Sequence, residues 1–311
     1  MLFVPGDSEK KLAKCDGADA DALIIDLEDS VEPDRKPHAR RLAVEYLEQR
    51  RDRRRGIWVR VNALGDTEFR KDLERTVAAR PDGIVLPKPQ GPDDVSLVAR
   101  RLAQLETRYG IEPGATKILP IATETPAGVF AAEGYRRCGE RLAALGWGAE
   151  DLSVALGAAT NVDEHGEWLP PYQLARSICL LAAAAAGVRA IDTVYTDLRD
   201  AEGLRRQAAA AKRDGFAGKM AIHPDQVGVL NRIFSPDPDE IAHARRVVEA
   251  FETAEGLGVL GVVTLDGKML DRPHLIRARR TLRLAASLSK AAATHADPRP
   301  PNGAGEPHEG R

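Results

Sequence analysis

The sequence predicts an α/β protein, a (β/α)8 TIM barrel with a small C-terminal lid segment. Eight short apolar runs recur along the chain, and each is followed by a segment with helical spacing. Continuous apolar strands that alternate with helices indicate a parallel sheet covered on its outer face. The main alternative is an open, doubly wound sheet. It is weakened because no G-x-G-x-x-G motif follows the first run, whereas barrel closure explains the number eight.

The predicted strands are rich in β-branched residues, and each ends in a polar residue or a turn. They span residues 2–4, 22–27, 57–61, 83–86, 117–122, 142–147, 190–195 and 219–222. Helices are predicted between them at about 8–14, 36–50, 67–79, 93–109, 127–138, 172–186, 201–214 and 226–234. These strands and helices make up a predicted barrel domain over residues 1–235.

The pattern changes after the eighth repeat. Pro236 and Pro238 interrupt the chain, a helix is predicted at about 239–255, and a glycine-rich hairpin follows. A last helix is predicted at about 273–287, so we expect residues 236–287 to form a lid extension. Residues 288–311 are rich in Pro, Gly and polar residues, which predicts a disordered tail.

The composition argues against several classes of function. The 311 residues carry a formal net charge of only −2, so no charge excess indicates a nucleic acid or a membrane surface as partner. The longest apolar stretch, 178–188, is shorter than the roughly 20 residues that span a bilayer. The opening residues MLFVPG do not resemble a signal peptide. The three cysteines form no C-x-x-C pair, which favours a reducing compartment, and we expect a cytoplasmic protein.

Charged residues cluster where the predicted strands end. In a (β/α)8 barrel the carboxyl ends of the strands form the active-site face. The charged residues at these ends include Glu28, Asp29, Arg60, Lys88, Glu124 and Asp151. Crowded carboxylates repel one another unless a cation lies among them. Mg²⁺ is the predicted ion, because it takes oxygen ligands and these strand ends offer no His or Cys cluster that would suit zinc.

Glu124 and Asp151 are the predicted direct metal ligands, since they follow neighbouring strands. Glu28 and Asp29 could hold metal-bound waters. Simpler structural interpretations remain open for each residue taken singly. Asp29 and Asp151 could cap helices, and Glu124 could be a favourable charge at a helix N-terminus.

Two cations complete the predicted cluster. Lys88, between Pro87 and Pro89, could be a structural ion-pair partner or a substrate contact. Arg60 is harder to explain structurally, because a buried guanidinium at a strand end needs an anion close by.

The strings at these strand ends resemble a known family. They are LFVPG (2–6), DLEDSV (26–31), VRVN (59–62), LPKP (86–89), ETP (124–126), LGWGAED (145–151), DTVYTD (192–197), GFAGKMAIHPDQV (215–227) and GKMLDRP (267–273). In this order they resemble the citrate lyase beta-subunit and CoA-ester lyase branch of the HpcH/HpaI aldolase superfamily. One string alone is weak evidence, but nine in the correct order are strong.

The resemblance implies a magnesium-dependent carbon–carbon lyase. Its substrate would be a 3-hydroxyacyl-CoA thioester of the malyl-, citramalyl- or citryl-CoA type, split by a retro-Claisen reaction into an acyl-CoA and a 2-oxo acid. The resemblance also implies a homotrimer or hexamer in which each subunit places its lid over the site of a neighbour. On the matching motifs the metal ligands fall on Glu124 and Asp151.

The resemblance assigns further roles residue by residue. The catalytic set comprises Arg60 for the substrate carboxylate or oxyanion, the acidic pair Glu28 and Asp29, and the lid residue Asp271 for proton transfer. Without the resemblance, Asp271 would be interpreted as a turn residue. The predicted substrate contacts are Arg60, Glu124, Lys88 and the thioester-side lysine Lys14.

Two departures from the family pattern bear on thioester recognition. Family members usually carry an Arg a few residues before LFVPG, whereas this sequence begins at Met1, and many CoA-using members carry an Arg where this chain has Ser8. Lys10, Lys11 and Lys14 could supply charge for the CoA phosphates. Separately, Trp147 is unusual within its motif. Three alternatives remain open. They are a citrate lyase beta subunit acting on a citryl thioester of an acyl-carrier protein, a metal-dependent 2-oxo acid aldolase, and a non-catalytic binding barrel. Aldolases of this superfamily carry a Glu-His pair where this chain has Glu28-Asp29.

Overall fold

The computed structural model of the protein describes residues 1–50, 55–256 and 261–296. These residues form two compact units. The first runs from Met1 to Phe234, and the second begins at Ser235.

Eight parallel strands form the inner layer of the first unit. They are β1 (Leu2–Pro5), β2 (Ala22–Asp26), β3 (Gly56–Arg60), β4 (Gly83–Leu86), β5 (Lys117–Pro120), β6 (Ala144–Gly146), β7 (Arg189–Asp192) and β8 (Gly218–Lys219). Strands β1 to β5 pair as one sheet and β6 to β8 as another. Parallel bridges join Ile121 to Gly146 and Leu2 to Ala221. Because these bridges connect both pairs of sheet edges, the strands follow one another around a barrel, and the predicted (β/α)8 fold is confirmed.

Helices alternate with the strands and cover the barrel. They are α1 (Glu9–Asp16), α2 (Lys36–Glu48), α3 (Thr67–Thr76), α4 (Pro92–Tyr109), α5 (Pro126–Ala131), α6 (Glu150–Leu156), α7 (Pro170–Ala185), α8 (Ala201–Asp214) and α9 (Pro224–Phe234). Side chains of Ser8, Asp66 and Thr125 cap α1, α3 and α5. Short 3₁₀ turns lie at Pro33–Arg35, Val77–Ala79 and Ala132–Arg137. Only α6 has no counterpart among the predicted helices, because its single apolar turn gives too little periodicity.

The strands are buried on both faces. Ile24 of β2 packs in the barrel interior with Leu119 and Met220, whereas its neighbours Leu23 and Ile25 pack in the larger core that includes the helices. This two-sided burial explains why the strand sequences are continuously apolar instead of alternating.

The second unit consists of two helices and a hairpin. Helix α10 (Pro238–Gly256) precedes the antiparallel strands β9 (Val262–Leu265) and β10 (Lys268–Asp271), and α11 (Arg272–Ala296) follows. Asp266 and Gly267 both have positive φ, as the tight turn of a two-residue hairpin requires. No helix among the described residues is long and apolar enough to cross a membrane.

The last helix is longer than the sequence predicts. Residues 288–296, predicted to be disordered, continue α11. Alanines at 291–293 favour this extension, since alanine is the best helix former and the first following proline is Pro298. The rest of the predicted tail lies outside the described residues.

Candidate active site

A buried ion pair lies at the carboxyl ends of β2 and β3. Asp26 and Arg60 are register partners, and the guanidinium donates from Nε and Nη2 to the two carboxylate oxygens, both at 2.7 Å. Asp26 also accepts the backbone N–H groups of Glu28 and Ser30. Burial alone would raise the pKa of Asp26, but Arg60 and these hydrogen bonds hold it below its ordinary value. The orientation of Arg60 is therefore fixed before any substrate binds.

An acidic pair lies beside this ion pair and is bridged by a lysine. Arg60 Nη1 is 3.0 Å from Glu28 Oε2, and Lys88 Nζ donates to Glu28 Oε1. The same ammonium is 2.8 Å from Asp29 Oδ2 and 3.3 Å from Asp151 Oδ1. Burial raises the pKa of Glu28 despite both cations. Lys88 thus draws carboxylates from two different loops together.

Lys88 has an unusual backbone conformation. Its φ is +51°, in the left-handed region, which costs a residue other than glycine about 1–3 kcal/mol. The following Pro89 also disfavours the right-handed helical region. In this conformation the Lys88 backbone N–H donates to Glu124 Oε2 at 2.6 Å. One residue therefore contacts Glu124 through its backbone and the acidic pair through its side chain.

Glu124 is the most buried carboxylate that faces the cavity without an ion-pair partner among the described residues. It follows β5 and is only 4% exposed. Burial, and next the charge of Asp151, raise its pKa well above the ordinary value. Gly148 packs against it, since a Cβ at that position would lie 2.6 Å from Glu124 Cγ. Positive charge supplied to the cavity would therefore favour the ionised form of Glu124.

A cavity of about 290 Å³ opens over these groups. Its lining includes Phe3, Arg60, Glu124, Gly148, Asp151 and Met220. The lining joins apolar side chains from the barrel interior to charged groups at the strand ends. That combination suits a small substrate with one polar and one apolar portion.

The residues present fit a hard divalent cation. The mouth gathers the carboxylates of Asp26, Glu28, Asp29, Glu124 and Asp151 around the cations Arg60 and Lys88. Negative charge is therefore in excess. Within the described ranges, no three His, Cys, Asp or Glu residues converge as a metal-binding group. A site with two carboxylates suits Mg²⁺, which completes its shell with water and substrate oxygens.

The structure brings most of the predicted site residues together. Six of them lie around the cavity mouth: Glu28, Asp29, Arg60, Lys88, Glu124 and Asp151. Lys14 is exposed on α1 and is not part of the described cavity lining. Asp271 belongs to the second unit, where its Oδ1 is 2.5 Å from His274 Nδ1.

Two features were missed from the sequence. The first is Asp26, the ion-pair partner of Arg60. The sequence feature that could have indicated this pair is an acidic and a basic residue at the ends of two consecutive parallel strands. The second is a buried network of Asp192, Lys219 and Trp147. Its signal was a lysine inside the eighth apolar run, since lysine is almost never fully buried without a partner.

Comparison with known proteins agrees with the fold and shows the family. Residues 1–224 match the model of the HpcH/HpaI aldolase/citrate lyase family. The chain is 40% identical over 282 residues to the citrate lyase subunit beta of Escherichia coli, covering 91% of each chain. It is 38% identical over 292 residues to a (3S)-malyl-CoA thioesterase of Cereibacter sphaeroides, covering 93% of this chain and 95% of the relative.

A solved structure resembles the chain over nearly its whole length. It is the protein CitE from Mycobacterium tuberculosis in complex with magnesium, acetoacetate and coenzyme A. The TM-score is 0.73 at 31% identity, and the match covers 92% of this chain and 97% of that one. The chain belongs to the HpcH/HpaI aldolase/citrate lyase family and is a lyase of the citrate lyase beta-subunit type.

Proposed function

We propose that this lyase uses Mg²⁺ to cleave a 3-hydroxyacyl-CoA thioester into an acyl-CoA and a 2-oxo acid by a retro-Claisen reaction. Malyl-CoA, citramalyl-CoA and citryl-CoA are the candidate substrates, since each is a 3-hydroxyacyl-CoA thioester. The observation that carries the proposal is the buried Glu124 beside Asp151 in a mouth with more carboxylates than cations. The relative solved with magnesium and coenzyme A supports it.

Glu124 and Asp151 would hold the ion. Mg²⁺ held there would supply a Lewis acid that polarises oxygen atoms of the substrate. Glu124 would also contact the substrate through the carboxylate oxygens that hold the ion. Its raised pKa means that the empty carboxylate resists ionisation, so binding of the cation and ionisation of Glu124 are linked.

Arg60 is our candidate for binding the substrate carboxylate or the developing enolate oxygen. Asp26 holds two of its donors, and its remaining Nη1 lies towards Glu28. Preorganised donors stabilise a developing oxyanion without reorganising during the reaction. Glu28 and Asp29 would orient water and the reacting hydroxyl, and Lys88 would balance their charge and contact the substrate.

Asp271 is our candidate for proton transfer. The enolate left by C–C cleavage must be protonated, and the hydroxyl proton must be removed. The carboxylate of Asp271 contacts His274 within its own unit. We propose that residues 236–287 of this unit act as a lid on a neighbouring subunit.

An oligomer, a homotrimer or a hexamer, is part of the proposal. Phe130 of α5 is 87% exposed, Val154 of α6 is 80% exposed, and Leu174 and Leu181 of α7 are also exposed. Helix α5 contacts both α6 and α7, and exposed apolar side chains on neighbouring helices are typical of protein interfaces.

A free CoA ester is favoured over a carrier-protein thioester by the lysines of α1. Lys10, Lys11 and Lys14 are exposed there, and they could bind the CoA phosphates in place of the arginine that Ser8 replaces. A cytoplasmic location remains a prediction, supported by the free thiols of Cys15, Cys138 and Cys179.

The test is a lyase assay on a panel of malyl-, citramalyl- and citryl-CoA, with and without EDTA. We expect release of a 2-oxo acid that EDTA abolishes. Release of free CoA and the corresponding hydroxy di- or tricarboxylic acid would instead identify a thioesterase. Turnover on a citryl-carrier protein alone would identify a citrate lyase subunit.

A matched pair of variants tests the metal assignment. Glu124→Gln keeps the side-chain shape and should abolish metal-dependent turnover while the fold stays intact. Glu133→Gln, at an exposed position on the helical segment after α5, should retain full turnover. An active Glu124→Gln variant would refute the assignment.

A further inference from the structure

Three buried side chains tie the ends of β6, β7 and β8 together. Asp192 accepts the indole Nε1–H of Trp147 at 2.7 Å through Oδ1 and the ammonium of Lys219 at 2.7 Å through Oδ2. Each residue is at most 2% exposed. Trp147 also packs edge-on against Trp168, with ring centroids 5.0 Å apart. The network lies between the strands and the helices. Trp147 belongs to the outer core. Ile191 and Met220 face the barrel interior, so their chain neighbours Asp192 and Lys219 face the opposite, outer side of the strands.

The network lies where backbone pairing is short. Strand β8 has two residues and β6 has three, and the pairing of β6 with β7 ends at Gly146 and Ile191. Beyond that point the side chains of Trp147 and Asp192 continue the connection. The segment that follows Trp147 begins with Gly148, which packs against Glu124, and reaches Asp151.

Stability alone does not explain a buried ion pair at this position. Burial lowers the pKa of Lys219, and the charge of Asp192 only partly offsets this effect. Replacing such a pair by well-packed apolar side chains is often neutral or stabilising. Both carboxylate oxygens of Asp192 are engaged in this network, and a further cation, Arg176, places its Nε 3.5 Å from Oδ1. A buried polar network of this kind restricts the arrangement of the elements it joins.

We propose that Asp192, anchored by Lys219, is a positioning residue that fixes Trp147 and thereby the segment 148–151, which leads into the first turn of α6 and carries Asp151. It contacts no substrate and acts through the indole N–H. The inference rests on the proposed function, in which Asp151 is a metal ligand. It gives a role to Trp147, the residue that departs from the family motif.

The test measures binding of Mn²⁺, as a probe for Mg²⁺, by electron paramagnetic resonance without substrate. Trp147→Phe keeps an aromatic ring but removes the N–H, and we expect about tenfold weaker binding, the lower end of the range for groups that orient metal ligands. Trp168→Phe changes the same aromatic pair without touching Asp192, so it should bind Mn²⁺ like the wild type. Equal affinities of the two variants would overturn the inference.

Asp151→Asn separates this inference from the proposed function. If Asp151→Asn binds Mn²⁺ as tightly as the wild type, the metal assignment fails and the inference fails with it. If Asp151→Asn loses binding and Trp147→Phe does not, the positioning role alone is overturned.

A second measurement uses the unaltered protein, so it does not depend on a variant that folds. Coupling between two sites is reciprocal. Saturating Mg²⁺ should therefore slow solvent exchange of the Trp147 indole N–H about tenfold more than that of Trp58 and Trp168, measured by NMR. A uniform change in all three indoles would overturn the inference.

Discussion

Gly148→Ala should disable the site without unfolding the barrel. An added Cβ would lie 2.6 Å from Glu124 Cγ and 3.0 Å from Oε1, whereas carbon atoms in contact prefer about 3.5–4.0 Å. Glu124 must therefore move by about 1 Å. The carboxylate of Glu124 accepts a hydrogen bond from the backbone N–H of Lys88. The movement therefore also breaks this hydrogen bond, which joins the segment after β4 to the segment after β5.

A misplacement of about 1 Å can cost about a hundredfold in rate, which corresponds to about 2.7 kcal/mol of transition-state stabilisation. We expect kcat/KM to fall by this factor and Mn²⁺ affinity to weaken, while the melting temperature changes by only a few degrees. The assays are steady-state kinetics with saturating Mg²⁺, a Mn²⁺ titration and thermal unfolding.

Gly65→Ala is the matched control, because Gly65 is exposed and a Cβ added there would have no atom within 4 Å among the described residues. It should retain wild-type kinetics and Mn²⁺ affinity. If Gly148→Ala also retained both, the position of Glu124 would not matter for the reaction, and our reasoning about the site would be refuted.

Three further predictions concern the scaffold. Glu106 accepts four hydrogen bonds, two of them from Arg141; burial would raise its pKa, but these donors lower it to about 2. Glu106→Gln should therefore lose about 3 kcal/mol of unfolding free energy at pH 7. That contribution is complete above the ordinary value of about 4.5 and disappears as the pH falls towards 2, so urea titrations should find variant and wild type converging in acid; a constant difference would contradict the assignment. Asp26→Asn leaves the buried charge of Arg60 without its bidentate partner and should cost about 3–5 kcal/mol in urea denaturation, whereas a loss below about 1 kcal/mol would show that the pair is unimportant. Gly267→Ala places a side chain at φ +73° and should destabilise the hairpin of the second unit by about 1 kcal/mol, seen as faster amide exchange in β9 and β10; unchanged exchange would argue against the turn.

The sequence predicted the barrel because two-sided burial leaves a simple signal. Strands such as β2, with all five residues buried, are continuously apolar, and the charged residues that follow them mark the carboxyl ends. Because parallel strands end at one edge, Glu28, Arg60 and Glu124 could be expected together without knowledge of any contact. The length of α11 was missed because its last turns carry few large apolar residues to mark a buried face.

Contacts between side chains were less predictable. Pairing Asp26 with Arg60 needs the register of β2 against β3, which the apolar pattern alone leaves open. The left-handed conformation of Lys88 depends on the loop around it, since Pro87 and Pro89 restrict its conformation without selecting this one. Lys219 in the eighth apolar run indicated that a buried partner was needed, but the sequence pattern did not indicate that Asp192 would be this partner or that it would also bind Trp147.

The barrel strands form two arcs of unequal size, β1–β5 and β6–β8, and the two arcs should differ in how readily they open. Five strands pair continuously, whereas β6 and β8 have only three and two residues, and in the described part of the chain the arc β6–β8 joins the other strands through isolated bridges. Regions with fewer protected backbone hydrogen bonds open more readily than the rest of a domain. The shorter arc should therefore behave as a separate cooperative unit, whose transient opening exposes Asp151 while the arc carrying Arg60 and Lys88 stays closed.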